Sequence, residues 1–146
     1  MDCSKDPLIG AAITPAPIRI LYVEDDPLVR EITTELLSEV KRHIVAVGSA
    51  EEALQEFQAD AYDVVITDVS LPAMSGLDLA KRLLALVPDA PIIVASGYLL
   101  DLSPRIWGPK VRTVLKPFDP AAIDALITEL CAEVAPESTS HRPARL

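Results

Sequence analysis

The chain has 146 residues, enough for one ordinary domain with a hydrophobic core of its own. Half of the residues are hydrophobic and only 4% are aromatic, which predicts a globular protein with an aliphatic core. A formal net charge of −9 argues against nucleic acid as a partner, because phosphate backbones favour clustered lysines and arginines. No stretch approaches the roughly 18 apolar residues that a membrane-spanning helix requires, so we expect no membrane partner.

The cysteines and the N-terminus bear on the cellular compartment. Cys3 and Cys131 lie near opposite ends of the chain and match no metal-binding spacing, so we interpret both as free thiols in a reducing environment. The N-terminus lacks the basic and then apolar order of a signal peptide, and Pro15 and Pro17 interrupt its short apolar stretch. The sequence therefore predicts a cytoplasmic protein.

Three segments differ in composition. Residues 1–17 hold Ser, Pro, Gly and Ala without a sustained period, which predicts a flexible N-terminal arm. Residues 135–146 show the same character, and we predict a disordered C-terminal tail there. Between them, residues 18–134 alternate strand and helix patterns and are predicted to form a single domain.

Five short runs of aliphatic and β-branched residues predict β-strands. In chain order they are Ile18–Val23, Ile44–Val47, Val64–Thr67, Pro91–Ala95 and Val111–Leu115. Helical patterns separate these runs. We therefore expect parallel strands joined by right-handed crossovers, with helices on both faces of one sheet.

The first helix is predicted to begin at Pro27, with Asp26 as its cap. Its apolar residues recur at helical spacing and are Leu28, Ile32, Leu36, Leu37 and Val40. Later helices are predicted to begin after Ser49, to span Leu77–Leu86, and to span Ala121–Val134 with Asp119 as cap. The segment from 98 to 110 contains two prolines and a glycine, which predicts a short turn or irregular loop in place of a full fourth helix.

Polar residues stand where the predicted strands end. They are Glu24, Asp25 and Asp26 after the first strand, Asp68 after the third, Ser96 after the fourth and Lys116 after the fifth. The carboxyl ends of parallel strands meet at one edge of a sheet, where ligands bind near the topological switch point. We therefore expect these side chains to converge.

This set of residues suits magnesium-dependent phosphoryl chemistry. Clustered carboxylates repel one another unless a cation intervenes, and an oxygen-only site with an open side suits Mg²⁺. Asp68 is a candidate nucleophile toward phosphorus, with the metal neutralising charge during transfer. Lys116 offers a mobile positive charge and Ser96 a hydroxyl for phosphoryl oxygens. No His, Cys or Ser nucleophile with an orienting partner is evident, so we expect no enzymatic activity beyond gaining and losing this group.

Four segments together resemble the receiver domains of two-component response regulators: ILYVEDDPLVR, YDVVITDVSLPAMSG, PIIVASGY and VLKPF. The resemblance covers about residues 18–134 and implies a flavodoxin-like α/β fold, a doubly wound five-stranded parallel sheet of order 2-1-3-4-5. It also implies a sensor histidine kinase or a histidine phosphotransferase as phosphodonor. We expect no output domain after the last helix, and therefore a downstream protein partner or a role as phosphate sink.

The resemblance assigns roles to individual residues. It implies that Asp68 is the phosphoacceptor, that Ser96 is the switch residue and that Lys116 precedes a cis-proline, Pro117. The implied Mg²⁺ ligands are Asp25 directly, Glu24 largely through water, Asp68, and the backbone carbonyl of Ser70. Asp26 falls one position after the acidic pair and is interpreted as the helix cap.

Two departures from the family pattern concern the output. Receivers often carry Tyr or Phe in the fifth strand where this chain has Thr113, so the usual ring movement is in question, and Tyr98 is a candidate replacement.

The segment ASGY and the irregular stretch after it also resemble an alphaproteobacterial subgroup with an ATGY-like motif and a degenerate fourth helix. That subgroup often lacks an output domain. The usual dimer surface involves this same region, so we expect a monomer or a weak dimer.

Each residue also has an ordinary structural interpretation. The acidic cluster suits the positive end of a helix dipole, Asp68 a turn, and Lys116 a solvated surface position. Two other functions stay open at this stage. One is a pseudo-receiver scaffold that works without phosphorylation. The other is a phosphatase with an aspartate nucleophile, for which a second aspartate is expected where the chain has Ser70.

Overall fold

The computed structural model describes residues 17–38, 42–57 and 61–134, with side chains through Cys131. Apart from Pro17, the predicted arm, which includes Cys3, and the predicted tail lie outside these residues. Val40 of the predicted first helix also lies outside them. The elements are β1 Ile18–Val23, α1 Pro27–Leu37, β2 Arg42–Val47, α2 Ala50–Glu56, β3 Val64–Asp68, α3 Gly76–Leu86, β4 Ile92–Ser96, α4 Pro104–Trp107, β5 Val111–Leu115 and α5 Pro120–Val134. No helix among the described residues is long and apolar enough to cross a membrane.

The five strands form one sheet in the order β2-β1-β3-β4-β5, and every neighbouring pair is parallel. This confirms the doubly wound flavodoxin-like fold that the sequence predicts. The strand order reverses between β1 and β3, so the connections after these two strands leave toward opposite sides of the sheet. That arrangement opens a crevice at the carboxyl ends of β1 and β3.

The sheet has a hydrophobic core on each face, because successive strand residues point to opposite sides. Leu21 and Val23 pack in one core with buried residues of α2 and α3. Ile20 and Tyr22 pack in the other with buried residues of α1 and α5. Burial on both faces explains why β1, β3 and β4 are nearly continuous apolar runs.

The apolar stripe of α1 faces solvent rather than the core. Leu28, Ile32 and Leu36 are 63%, 50% and 48% exposed, whereas Thr33 and Leu37 are the buried residues of the helix. Helical spacing predicts the helix correctly but does not say which of its faces meets the sheet. The exposed stripe begins beside the carboxyl end of β1.

The fourth helix is a single turn, as the sequence predicts. The N–H of Arg105 donates to the side chain of Ser103, which caps α4, and Pro104 occupies the first helical position. Gly108 ends the helix with a φ of 92°, a conformation that favours glycine. The half-buried Trp107 packs against the α3 side of the core, with the Lys81 ammonium 5.6 Å from its ring centre.

Candidate functional site

The strand register brings the predicted polar residues to one edge of the sheet. Val23 pairs with Thr67, so Glu24 and Asp68 follow in adjacent rows at the carboxyl ends of β1 and β3. Asp68 pairs with Ala95, and Ser96 pairs with Leu115, which places Lys116 one residue beyond β5. The structure thus brings together side chains from four strand ends.

Asp68 is buried, and its oxygen atoms have defined partners. The Lys116 Nζ donates to its Oδ2 at 3.2 Å, and the backbone N–H of Ser70 donates to its Oδ1 at 3.4 Å. The Thr67 hydroxyl donates to the Asp68 backbone oxygen at 3.0 Å, and the N–H of Val69 bonds to Ala95. These contacts hold both the carboxylate and its backbone, so Asp68 is not a free surface turn residue.

Glu24 is only 4% exposed and lies on the other side of Lys116. Its Oε1 is 3.6 Å from the Lys116 Nζ, and its Oε2 accepts a hydrogen bond from the N–H of Asp26 at 3.1 Å. Asp25, in contrast, is exposed. Asp26 accepts from the N–H groups of Leu28 and Val29 and caps α1 as predicted.

Three carboxylates therefore form one cluster. Oxygen atoms of Glu24, Asp25 and Asp68 all lie within 4.8 Å of one another. With one ammonium from Lys116, the formal charge of the group is −2, which matches a divalent cation. The donors are all oxygen and Asp25 opens to solvent, which suits Mg²⁺ with several retained waters. The residues present fit that ion.

The pKa shifts reflect this crowding. Burial raises the pKa of the Glu24 carboxyl, and the charges of Asp68 and Asp25 raise it further against the hydrogen bond from Asp26 and the charge of Lys116. Burial alone lowers the pKa of Lys116, but the carboxylates of Asp68 and Glu24 outweigh burial and raise it. Lys116 is therefore a permanent positive charge at physiological pH.

Ser96 joins the site from β4. It is 2% exposed, and its hydroxyl oxygen accepts a hydrogen bond from the N–H of Tyr98 at 3.1 Å. Its backbone oxygen accepts from the N–H of Lys116 at 2.7 Å, which fixes the end of β4 to the end of β5. The Lys116–Pro117 peptide bond is cis. Tyr98 itself is exposed, and Thr113 is half-buried in β5, opposite Val94.

Two features of the loop after Asp68 could not be located from sequence patterns. Gly76, the first residue of α3, lies so close to the β3 end that an added Cβ would overlap the backbone oxygen of Asp68. It would also lie 3.0 Å from the Cα of Val69. Ala73 has a φ of 65°, a left-handed conformation that costs energy for any residue with a Cβ. The loop therefore depends on a small residue at 76 and stores strain at 73.

Sequence reasoning also missed Arg30. Its Nη1 donates to the backbone oxygen of Glu24 at 2.8 Å, so this side chain belongs to the acidic edge. The available signal was its position four residues after the cap Asp26, which places it on the first turn of α1.

Comparison with known proteins identifies the family. The sequence matches the response regulator receiver domain over residues 20–128. This protein therefore belongs to that family, and its fold and acidic edge agree with the assignment.

Relatives differ in how much of their length this chain spans. Response regulator receiver protein CpdR of Brucella abortus is 30% identical over 102 residues, which cover 68% of this chain and 85% of CpdR. Nodulation protein W of Bradyrhizobium diazoefficiens is 36% identical over 111 residues, or 74% of this chain and 49% of that protein. For the sensor protein TorS of Escherichia coli, at 33% identity, the match covers 64% of this chain but 10% of TorS.

Solved structures agree on the fold. The response regulator TrrA of Thermotoga maritima, solved in complex with Mg(2+)-BeF, is 34% identical, with a TM-score of 0.68. The alignment covers 77% of this chain and 98% of TrrA. A receiver domain protein of Clostridium thermocellum has a TM-score of 0.72 over 80% of this chain and 96% of its own, but at 22% identity it supports the fold alone.

Proposed function

We propose that residues 18–134 act as a phosphoacceptor in which Asp68 is transiently phosphorylated in a Mg²⁺-dependent reaction. The observation that carries the proposal is the convergence of Asp68 with two further carboxylates and Lys116 at one sheet edge. Two of these carboxylates, Glu24 and Asp68, are buried, and gathering them beside a third is costly without a compensating cation. The complex of the relative TrrA with Mg(2+)-BeF supports the same reading.

The proposed reaction uses the carboxylate of Asp68 as nucleophile. One of its oxygens forms a bond to phosphorus while the bond from phosphorus to the donor, a phosphohistidine nitrogen, breaks with its electron pair. When bound, Mg²⁺ supplies charge neutralisation for the phosphoryl oxygens, and its proposed ligands are Asp25, Glu24 through water, Asp68 and the Ser70 backbone carbonyl. Lys116, already within 3.2 Å of Asp68, can follow a phosphoryl oxygen as the carboxylate charge is lost.

The exposed stripe of α1 is the surface that we assign to the phosphodonor. It consists of Leu28, Ile32 and Leu36, and it starts next to the acidic edge, where a protein delivering a phosphoryl group must make contact. We propose that a sensor histidine kinase or a histidine phosphotransferase packs on it. Ile32→Glu should then lower transfer from a phosphohistidine protein but leave phosphorylation by acetyl phosphate unchanged. The matched control is Leu86→Glu at an exposed apolar position of α3.

The proposed output starts at Ser96. Its hydroxyl accepts from the N–H of Tyr98, so a Ser96 hydroxyl that donates to a phosphoryl oxygen must reorganise this contact. Because Thr113 offers no ring to bury, we propose that Tyr98 and the loop up to α4 carry the change to a partner protein in the cytoplasm. Nuclear magnetic resonance spectra with and without Mg²⁺ and beryllofluoride should show the largest amide shifts in this loop. Shifts confined to the acidic edge would contradict this route.

The phosphoacceptor proposal is tested by incubating the protein with acetyl phosphate and Mg²⁺ and measuring its intact mass. We expect a gain of one phosphoryl group that requires Mg²⁺ and is absent from Asp68→Asn. Asp78→Asn, an exposed position in α3, removes the same charge away from the acidic cluster and should leave the mass gain intact. A gain that survives Asp68→Asn would defeat the assignment.

A further inference from the structure

Arg30 ties α1 to the peptide that carries the acidic pair. Its Nη1 donates to the backbone oxygen of Glu24 at 2.8 Å, while its backbone N–H bonds to Asp26 within the first turn of the helix. The side chain is half-buried, and a charged donor makes a short and strong hydrogen bond in such a place. Arg30 thus links α1 to the peptide group between Glu24 and Asp25.

Both backbone groups of Glu24 have hydrogen-bond partners. The N–H of Glu24 donates to the backbone oxygen of Val47 at 3.0 Å, and its carbonyl accepts from Arg30. The Glu24 side chain is fixed separately by the N–H of Asp26 and by Lys116. Asp25 is exposed, and it directly follows the Glu24 carbonyl that Arg30 holds. Arg30 therefore contacts the backbone immediately before the most open of the three carboxylates.

Gly48 makes room for the guanidinium. A Cβ at this position would lie 2.9 Å from the Arg30 Nη1 and 3.4 Å from the Glu52 Oε1. The φ of Gly48 lies outside the left-handed region, so backbone conformation does not require glycine here. The Gly48 N–H also donates to Glu52 at 2.7 Å, which anchors the start of α2. The absence of a side chain at Gly48 therefore leaves the space that the Arg30 guanidinium occupies.

We propose that Arg30 is a positioning residue for the magnesium site, orienting Asp25 through the Glu24 carbonyl. The inference rests on the proposed magnesium-dependent function. Two effects of Arg30 on metal affinity oppose each other. Its positive charge repels a cation, and because this repulsion is screened, it should weaken the Mg²⁺ affinity by only roughly two- to fivefold. Loss of a residue that orients a ligand typically costs 10- to 100-fold in affinity. The orienting effect is the larger one.

The sign of the change in Mg²⁺ affinity distinguishes the two effects. Arg30→Met keeps most of the stem but removes the charge and the donors, and we expect roughly tenfold weaker binding in a calorimetric titration. Arg30→Lys keeps the charge and one donor and should recover part of that loss. If only charge mattered, Arg30→Met would bind more tightly and Arg30→Lys would be unchanged. Arg82→Met, at an exposed position of α3, makes the same change of net charge and should alter affinity less than about twofold.

Gly48→Ala tests the proposal with Arg30 in place. The added methyl group meets the flexible end of Arg30 rather than backbone, so the fold should be kept while the guanidinium moves. We expect roughly two- to threefold weaker Mg²⁺ binding and a shifted Asp25 amide resonance. This variant decides the matter if Arg30→Met does not fold. If Arg30→Met folds and binds Mg²⁺ as tightly as the wild type, the inference is overturned and the proposed function stays intact. If Arg30→Met does not fold, Gly48→Ala with the wild-type affinity has the same consequence. A wild-type protein that binds no Mg²⁺ overturns both.

Discussion

Gly76→Ala tests whether the backbone of the phosphoacceptor is as closely packed as the structure indicates. The added methyl carbon would overlap the Asp68 backbone oxygen and lie 2.8 Å from its carbonyl carbon. Carbon atoms in favourable contact are about 3.5–4.0 Å apart, so relieving the carbon contact alone requires the end of β3 and the start of α3 to separate by roughly 0.7–1.2 Å, and the closer oxygen requires more. Both sides of this contact are backbone, and neither can turn away by changing a rotamer.

The expected cost follows from that separation. Overpacking usually costs about 1–3 kcal/mol, and a contact between two backbones belongs at the upper end of this range. Alanine recovers up to about 1 kcal/mol because it favours the helical conformation at Gly76. The net loss in the free energy of unfolding should be about 2 kcal/mol, which corresponds to a melting temperature lower by roughly 6–10 °C. Asp68 moves with its backbone, so Mg²⁺ affinity should fall as well.

Circular dichroism melts and Mg²⁺ titrations of Gly76→Ala and Gly97→Ala form the assay. Gly97 is the matched control, because an added Cβ there meets nothing within 4 Å and its φ is not left-handed. Its substitution should change stability by less than about 0.5 kcal/mol. A Gly76→Ala protein with the stability and Mg²⁺ affinity of Gly97→Ala would show that the two backbones are not in close contact.

Three further predictions concern stability. Ala73→Gly should stabilise the protein by about 0.5–1 kcal/mol in urea unfolding, because glycine removes the left-handed strain at a φ of 65°; an unchanged midpoint would contradict this. Burial raises the pKa of the Asp63 carboxyl, but three hydrogen bonds from Arg19 outweigh burial and lower that pKa. Asp63→Asn should therefore lower the free energy of unfolding by about 1 kcal/mol at pH 7. Asp63 contributes this stability above its unfolded pKa of 3.8, and the difference from wild type should shrink as pH falls through its lower folded pKa. Burial raises the pKa of Tyr22 to about 12 from 10.0, so the wild type should lose up to roughly 2 kcal/mol between these pH values. Tyr22→Phe should not show that loss.

The strands and the candidate site were accessible from sequence because their signals are local. An apolar run that ends in a carboxylate identifies both a buried strand and the residue at its carboxyl end. Once the strands are parallel, Glu24, Asp68 and Lys116 must share one edge, and the structure places both carboxylates within 3.6 Å of the Lys116 ammonium. The single-turn α4 was foreseeable from Pro104 and Gly108 for the same reason.

Other features depend on distances between segments that lie far apart in the chain. Leu28, Ile32 and Leu36 follow helical spacing but point outward, because spacing defines a stripe and not the direction in which it faces. Gly76 and Arg30 contact the backbone of Asp68 and Glu24, and residue spacing alone does not predict a contact with a backbone atom. These parts of the site depend on how distant segments pack in the folded protein.

Phosphorylation at Asp68 can be located by mapping the modified residue. After incubation with acetyl phosphate and Mg²⁺, borohydride reduces an aspartyl phosphate to homoserine, which peptide mass spectrometry locates. We expect homoserine at position 68 and at no other aspartate, with none formed when Mg²⁺ is omitted. Homoserine at Asp25 or another aspartate, or a phosphorylated protein with an unmodified Asp68, would contradict it.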